Sequence, residues 1–464
     1  MTARKPILLN GFKQATVGHT AIGLWRHPDS QAHRYNQLDY WLDTARTLEE
    51  GGFSGLFIAD VLGVLDVYQG RIDATLRAGI QTPSIDPLVL VSAMAAVTSR
   101  LGFAITLSTS YEQPYLLARR LASLDHLTGG RIGWNIVTSA LDSAARNLGR
   151  DRQHSHADRY QIAEEYMEVV YKLWEGSWED DAVGRDVGGN LFADPAKVHA
   201  IGHKGANFSV PSAFLVEPSP QRTPVLFQAG SSEAGRGFAA AHAEGVFLVS
   251  PDTGSLRETI EDVRDRAAGR GRGADAIRFF PLATVIVAET DAAAQAQLDD
   301  YRCYIDAEAV IARHSAIIQH DLSTADLDRP LARVDTDGIR GVIEETTRGP
   351  IETRPTLRQF AETIGITGGG LIVAGSAKTV ADALEGWIEE SGADGFNIPG
   401  VMPCRTFPDF TRLLTPELQR RGRLMAIGGP AHSGNNSLAP ARHAFPPNIQ
   451  RRFGAENHRC EKSG

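Results

Sequence analysis

The chain predicts an α/β protein, and within that class a TIM (β/α)8 barrel with insertions and an extended C-terminal tail. Three observations carry the prediction. Short apolar, β-branched runs alternate with segments of helical period along most of the 464 residues, about eight times over. Several of these runs end in small polar or acidic residues, the pattern of parallel strands whose carboxyl ends meet at one mouth. No internal repeat of twenty to fifty residues offers a competing architecture.

The clearest unit is residues 102–147. Apolar runs at 102–107 and 131–137 flank a helical pattern in which Leu116, Leu117, Leu121, Leu124 and Leu127 recur every three to four positions. Pro114 suits a first helical turn and Gly129-Gly130 follows the last periodic residue, so both ends are marked. Upstream, a strand is expected at 7–12, a helix at 40–50 closed by Gly51-Gly52, a buried strand at 55–60 and a helix at 87–98. Downstream, 156–174 is helical, and 178–220 is rich in Gly, Asp and Pro without a sustained period. Strands follow at 224–229, 245–250 and 279–288, with a helix over 256–268 and a long helical region over 292–318. A strand at 371–375, a helix at 380–391, a last strand at 394–398 and a closing helix at 410–420 complete the alternation. The organisation expected is one barrel over 1–422 with insertions near 176–222 and 321–370, then a tail at 423–464, extended or partly disordered.

With 42% hydrophobic and 22% charged residues the composition is that of a globular protein with a sizeable core. A net charge of −9 without a basic run argues against nucleic acid or an anionic membrane as partner. No apolar stretch is long enough for a signal peptide or a membrane span, so a cytoplasmic location is expected. Cys303, Cys404 and Cys460 are too few and too far apart for a disulfide framework or a metal clip.

Four features fall at the predicted strand ends: Asp60, the pair Thr106 and Ser108, Asn135 to Ser139, and Gly230-Ser231-Ser232. Asp60 closes an apolar run, where a carboxylate needs a partner, a cap role or a polar ligand. Gly230-Ser231-Ser232 before a helix suits phosphate binding, and equally suits a plain serine cap. His156 and Tyr160 share one helical face, which serves either a ligand or a solvated helix start. His19, His27 and His33 lack metal-ligand spacing, so no metal is expected. The glycine run 365–370 precedes an apolar run where a dinucleotide fingerprint would follow a strand, and a hinge or lid loop is expected there.

The blocks 55–60 (GLFIAD), 110–147, 159–178, 194–199 (DPAKVH), 218–230 (PSPQRTPVLFQAG) and 394–398 resemble the bacterial-luciferase-like flavin monooxygenases. The branch is that of the nitrilotriacetate, dimethyl-sulfide and dibenzothiophene-sulfone monooxygenases. The resemblance implies a barrel of the bacterial luciferase type. It also implies FMN, as FMNH2 from a separate NAD(P)H-dependent flavin reductase, O2 as cosubstrate, and oxygen insertion through a flavin C4a-hydroperoxide. It assigns the flavin to Asp60, Thr106, Asn135, His156, Tyr160, Ser231 and Ser232, with Asn135 also catalytic. The histidine that some relatives use before the position of Leu322 is not matched by the run Ile317-Ile318-Gln319-His320-Asp321, which leaves His314 or His320 as substitutes.

The substrate implied is small and mostly apolar, an organosulfur compound or a halogenated aromatic, beside Phe12, Trp25, Tyr68 and Leu107. Residues 321–370 are the expected lid, and a homodimer or homotetramer is the expected assembly. Three other readings stand beside this one: a deazaflavin-dependent oxidoreductase on the same barrel, a non-catalytic flavin-binding protein, and a metal-dependent barrel hydrolase using the amino-terminal histidines.

Overall fold

The structure, a computed structural model, describes residues 5–331, 347 and 350–424. Its strands are β1 (Leu8–Gln14), β2 (Gly55–Ala59), β3 (Gly102–Ser108), β4 (Ile132–Val137), β5 (His203–Lys204), β6 (Ser209–Val210), β7 (Val225–Gln228), β8 (Gly245–Leu248), β9 (Arg278–Pro281), β10 (Ala283–Ala288), β11 (Leu371–Ser376) and β12 (Gly395–Pro399). Eight of them form one sheet in the order β12-β1-β2-β3-β4-β7-β8-β9, and every pairing within it is parallel. The sheet closes where the Asp394 N–H donates to the Phe279 carbonyl at 3.0 Å and Leu282 bridges Asn397 in parallel. The expected eight-stranded barrel is therefore present.

The two-residue period of a strand decides what fills it. On one phase Phe12, Phe57, Ala104, Phe227, Phe247 and Phe280 pack together inside the barrel. Phe12 lies 4.9 Å from Phe247 and Phe57 lies 5.6 Å from Phe227, centroid to centroid. On the other phase Leu9, Ile58, Ile105, Trp134, Leu226 and Ile398 join the larger core between the strands and the outer helices. Each fully buried side chain of this size contributes roughly 1.5–3 kcal/mol. Leu107 belongs to the outer phase and packs on that larger core, so it does not line the mouth as expected.

Helices begin where side chains accept the N–H groups that a first turn leaves unpaired. Ser155, Ser232, Asp252, Thr290, Asp306 and Ser376 each cap in this way, and Thr356 with Gln359 forms a reciprocal capping box. The helical region expected over 292–318 is two helices, Asp291–Arg302 and Ala307–Ile318, because Asp306 caps a new start. No helix among the described residues is long and apolar enough to cross a membrane.

The strand expected at 279–288 is divided. The chain stays in the barrel to Pro281, and β10 then pairs with β11 in a separate parallel two-stranded sheet. The strand expected at 371–375 is thus outside the barrel. In the glycine run 365–370, expected as a hinge or lid loop, Gly365 lies inside the helix Leu357–Thr367 and Gly368 ends it in the left-handed conformation.

The helices Ala307–Ile318 and Leu357–Thr367 cover the carboxyl face. Val310, Ile311 and Phe360 form a second core with Ile22, Leu65, Ile80, Leu141 and Ala144, which come from the loops after β1, β2 and β4. The expected insertion near 176–222 is mostly irregular and carries the β5 and β6 hairpin. Much of the expected lid, residues 332–346 and 348–349, and the tail from 425 onward lie outside the described residues.

Candidate active site

Because the barrel strands are parallel, their carboxyl ends share one mouth. In β3 the inward phase runs through Ala104 to Thr106, and in β4 it reaches Asn135, the register partner of Thr106. Both side chains are 4% exposed, and Asn135 Nδ2 donates to Thr106 Oγ1 at 2.9 Å. Asn135 Oδ1 is buried without a donor. An unpaired buried acceptor costs roughly 1–3 kcal/mol.

Asp60 follows β2 directly. Burial pushes its carboxyl up to about 7, the Asp86 charge adds to the rise, and a hydrogen bond from the Val61 N–H opposes it. Near neutrality a large fraction of Asp60 is therefore protonated and able to donate a hydrogen bond.

Across the mouth, Gly230 sits at the centre of a polar cluster. A Cβ at this position would stand 2.4 Å from Gln228 Nε2, 2.7 Å from Tyr160 Oη and 3.2 Å from the Gly235 Cα, so only glycine lets these groups close in. Ser232 caps the helix Glu233–His242, accepting the Gly235 N–H at 3.2 Å, and its Oγ also lies 3.3 Å from His156 Nε2. His156 and Tyr160 are ring neighbours at 5.1 Å on their own helix, and Tyr160 also packs at 5.8 Å on Phe238. Burial raises the Tyr160 hydroxyl, while hydrogen bonds with Ser232 and Gln228 draw it the other way. The phenol stays neutral and able to donate. Ser231 stands half-buried at the same helix start, the positive end of the helix dipole.

The two proposed histidines part company. His314 is buried between the cover helices with its ring 4.5 Å from Phe360. Burial and the neighbouring Arg313 charge lower it to about 3, so it is a neutral imidazole at working pH. His320 is exposed beyond the end of its helix and is not brought to the other candidates. His19 sits over Phe12 at 4.9 Å, likewise lowered to about 3 by burial and then by Arg313. His27 is held by Asp300 at 2.8 Å and by the Asp29 N–H at 3.0 Å, and His33 is exposed, so the three amino-terminal histidines do not converge.

Of the expected pocket residues, Phe12 and Trp25 line one cavity with His19 and Gln14, and Tyr68 packs in the second core. Sequence reasoning missed Gln14, Gln81, Gln228 and Arg313. Gln14 is on the inward phase of β1, so strand period was an available signal for it, whereas Gln228 ends β7 on the outer phase with Leu226 and period alone would have turned it away from the mouth. Gln81 donates to Gln14 Oε1 at 3.1 Å from a loop where φ is +52°, and nothing in the residue order announced it.

The profile described as luciferase-like monooxygenase matches residues 20–395. The chain belongs to the luciferase-like monooxygenase family. Within that family it is 47% identical over 420 residues to the dimethyl-sulfide monooxygenase of Hyphomicrobium sulfonivorans, covering 90% of this chain and 88% of that one. It is 46% identical over 418 residues to the long-chain alkane monooxygenase of Geobacillus thermodenitrificans, covering 90% and 91%. The crystal structure of a riboflavin lyase with modified FMN and riboflavin superposes with a TM-score of 0.85 at 35% identity, covering 97% of this chain and 96% of that one. This luciferase-like monooxygenase is thus an oxidoreductase whose relatives of near-equal identity act on chemically unlike compounds.

Proposed function

We propose that this monooxygenase holds reduced FMN at the carboxyl mouth of its barrel and uses O2 to place one oxygen atom on a small organic substrate. The observation that carries the reading is the cluster around Gly230. Two hydroxyls, a phenol, an imidazole and a helix N-terminus converge there, a donor set that fits a phosphate. The residues at the ring end fit as well, since the unpaired Asn135 Oδ1 would accept from a ring N–H and protonated Asp60 would donate to a ring carbonyl.

Ser231, Ser232, His156, Tyr160 and Gln228 would hold the phosphate, and Asp60, Thr106 and Asn135 the ring. When bound, reduced flavin supplies the two electrons that activate O2, one atom of which goes to the substrate while the other leaves as water. The chain's own part is to orient and enclose. Thr106 fixes the Asn135 amide, Asp60 holds a proton at its carboxyl oxygen, and the apolar floor of Phe12, Phe57 and Phe247 with the cover helices keeps water away. Neutral His314 acts through packing of that cover.

The reading takes the flavin's electrons from a separate NAD(P)H-dependent reductase, in keeping with a relative 36% identical over 432 residues that is named nitrilotriacetate monooxygenase component A. A homodimer or homotetramer in the cytoplasm goes with this reading. The test is anaerobic equilibrium dialysis with reduced FMN and reduced riboflavin, followed by 18O2 turnover over a substrate panel. Tighter binding of FMN than riboflavin by tenfold or more, with one labelled oxygen in the product, is the expected result. Equal binding of the two flavins would overturn the phosphate assignment.

A further inference from the structure

Arg313 has no part in the reading so far. It lies on the cover helix Ala307–Ile318, and its Nε is buried without a hydrogen-bond partner. Among the described residues no carboxylate pairs with it, although more than two dozen other ion pairs are formed elsewhere in the chain. A guanidinium stays charged at any working pH and is costly to enclose without a counter-charge. Burial is the larger cause of the lowered His19 and His314 imidazoles, and the Arg313 charge adds to it in both.

A second unsatisfied donor lies on the same side. Gln14, on the inward phase of β1 just past Phe12, is 3% exposed, and its Oε1 is taken by Gln81 while its Nε2 is buried with nothing to donate to. Gln14 and His19 line the same cavity. His19 links the two places, since its ring packs at a tilt against Phe12, 4.9 Å centroid to centroid, and lies within the electrostatic reach of Arg313. Unpaired acceptors characterise the Asn135 side of the mouth, and unpaired donors with a fixed positive charge characterise this side.

We infer that the substrate carries an acidic group, a carboxylate or sulfonate, which Arg313 pairs with and Gln14 helps to hold, while its apolar part lies on Phe12. This rests on the flavin site proposed above, and it adds an acidic group to the small, mostly apolar substrate expected from the sequence. The same chemistry has a second possible source in the anionic ring of reduced flavin, and the experiment separates the two.

The test is calorimetric titration of the whole protein, without and with FMN, using matched probes: straight-chain carboxylates and sulfonates of four to ten carbons against the corresponding primary amides and sulfonamides. Wild type is expected to bind the best acid at least tenfold more tightly than its amide. Arg313→Gln removes that preference, and Arg313→Lys keeps part of it. Affinity for reduced FMN, measured in parallel, stays within threefold of wild type in both variants. Equal binding of acid and amide by wild type across the panel, or an Arg313→Gln variant that melts normally and keeps the preference, would overturn the inference. A loss confined to reduced-flavin affinity would assign the charge to the flavin ring and overturn it too. Failure of the flavin reading itself is recognised separately, by equal binding of FMN and riboflavin to wild type.

Discussion

Replacing Ser231 and Ser232 together by aspartate tests the phosphate site while sparing the fold. Ser232 caps the helix Glu233–His242 by accepting the Gly235 N–H at 3.2 Å, and aspartate caps a helix as well as serine does. Added negative charge in the first turn also agrees with the helix dipole, so the melting temperature is expected to hold. The bound phosphate experiences the opposite. With charges about 5 Å apart at an effective dielectric constant of about 20, each new carboxylate opposes each unit of phosphate charge by roughly 3 kcal/mol. That corresponds to about a hundredfold in affinity for one pair and about ten-thousandfold for two. Reduced riboflavin, which has the same ring and no phosphate, loses little. Anaerobic equilibrium dialysis with both flavins, beside a thermal melt, reads the effect. Binding of reduced FMN by the folded double variant to within tenfold of wild type would refute the assignment.

Four further outcomes are expected. Gly230→Ala introduces a methyl group 2.4 Å from Gln228 Nε2 and 2.7 Å from Tyr160 Oη. Both are side-chain ends that give way, so reduced FMN binds roughly 10- to 100-fold more weakly by the strength of a charge-assisted hydrogen bond, with little change in melting. Asn135→Ala removes the acceptor and leaves Thr106 without its donor, and dialysis should show flavin affinity falling by about tenfold. Asp60 is raised to about 7, so the native state binds its proton more tightly than the unfolded chain, and stability falls as pH climbs from about 4 to 7. Asp60→Asn should therefore melt higher than wild type at pH 8 and show no such gain at pH 4. His314, lowered to about 3, works in the other direction: stability is lost as pH falls from about 6.5 towards 3, and His314→Gln should flatten that acid limb in denaturant titrations.

Much of this was legible in the residue order because strands repeat every two positions. Thr106 and Asn135 fall on the inward phase at strand ends, and the structure makes them hydrogen-bonded register partners. The same alternation places Leu107 on the outer face, where counting phases from Thr106 would have put it. The division at Leu282 had a quieter signal, since Pro281 cannot donate within a sheet, yet FFPLATVIVA reads as one continuous apolar strand. Ser231 and Ser232 were visible as a helix start. Their closeness to Tyr160 and His156 depends on two elements more than sixty residues apart and on the missing Cβ of Gly230. Arg313 carried no mark at all, because its meaning lies in the lack of a carboxylate beside it among the described residues.

The departure of the chain from the barrel at Leu282 has a consequence for how such an enzyme diversifies. β10 and β11 both join the barrel at the Leu282 backbone, whose N–H is held by the Leu248 carbonyl and whose own carbonyl receives the Leu371 N–H. Recombination at this splice would exchange the roof together with Arg313 and His314 while the Gly230 cluster is inherited untouched, so selectivity and cofactor retention become separable traits that chimeras of these homologues could trade.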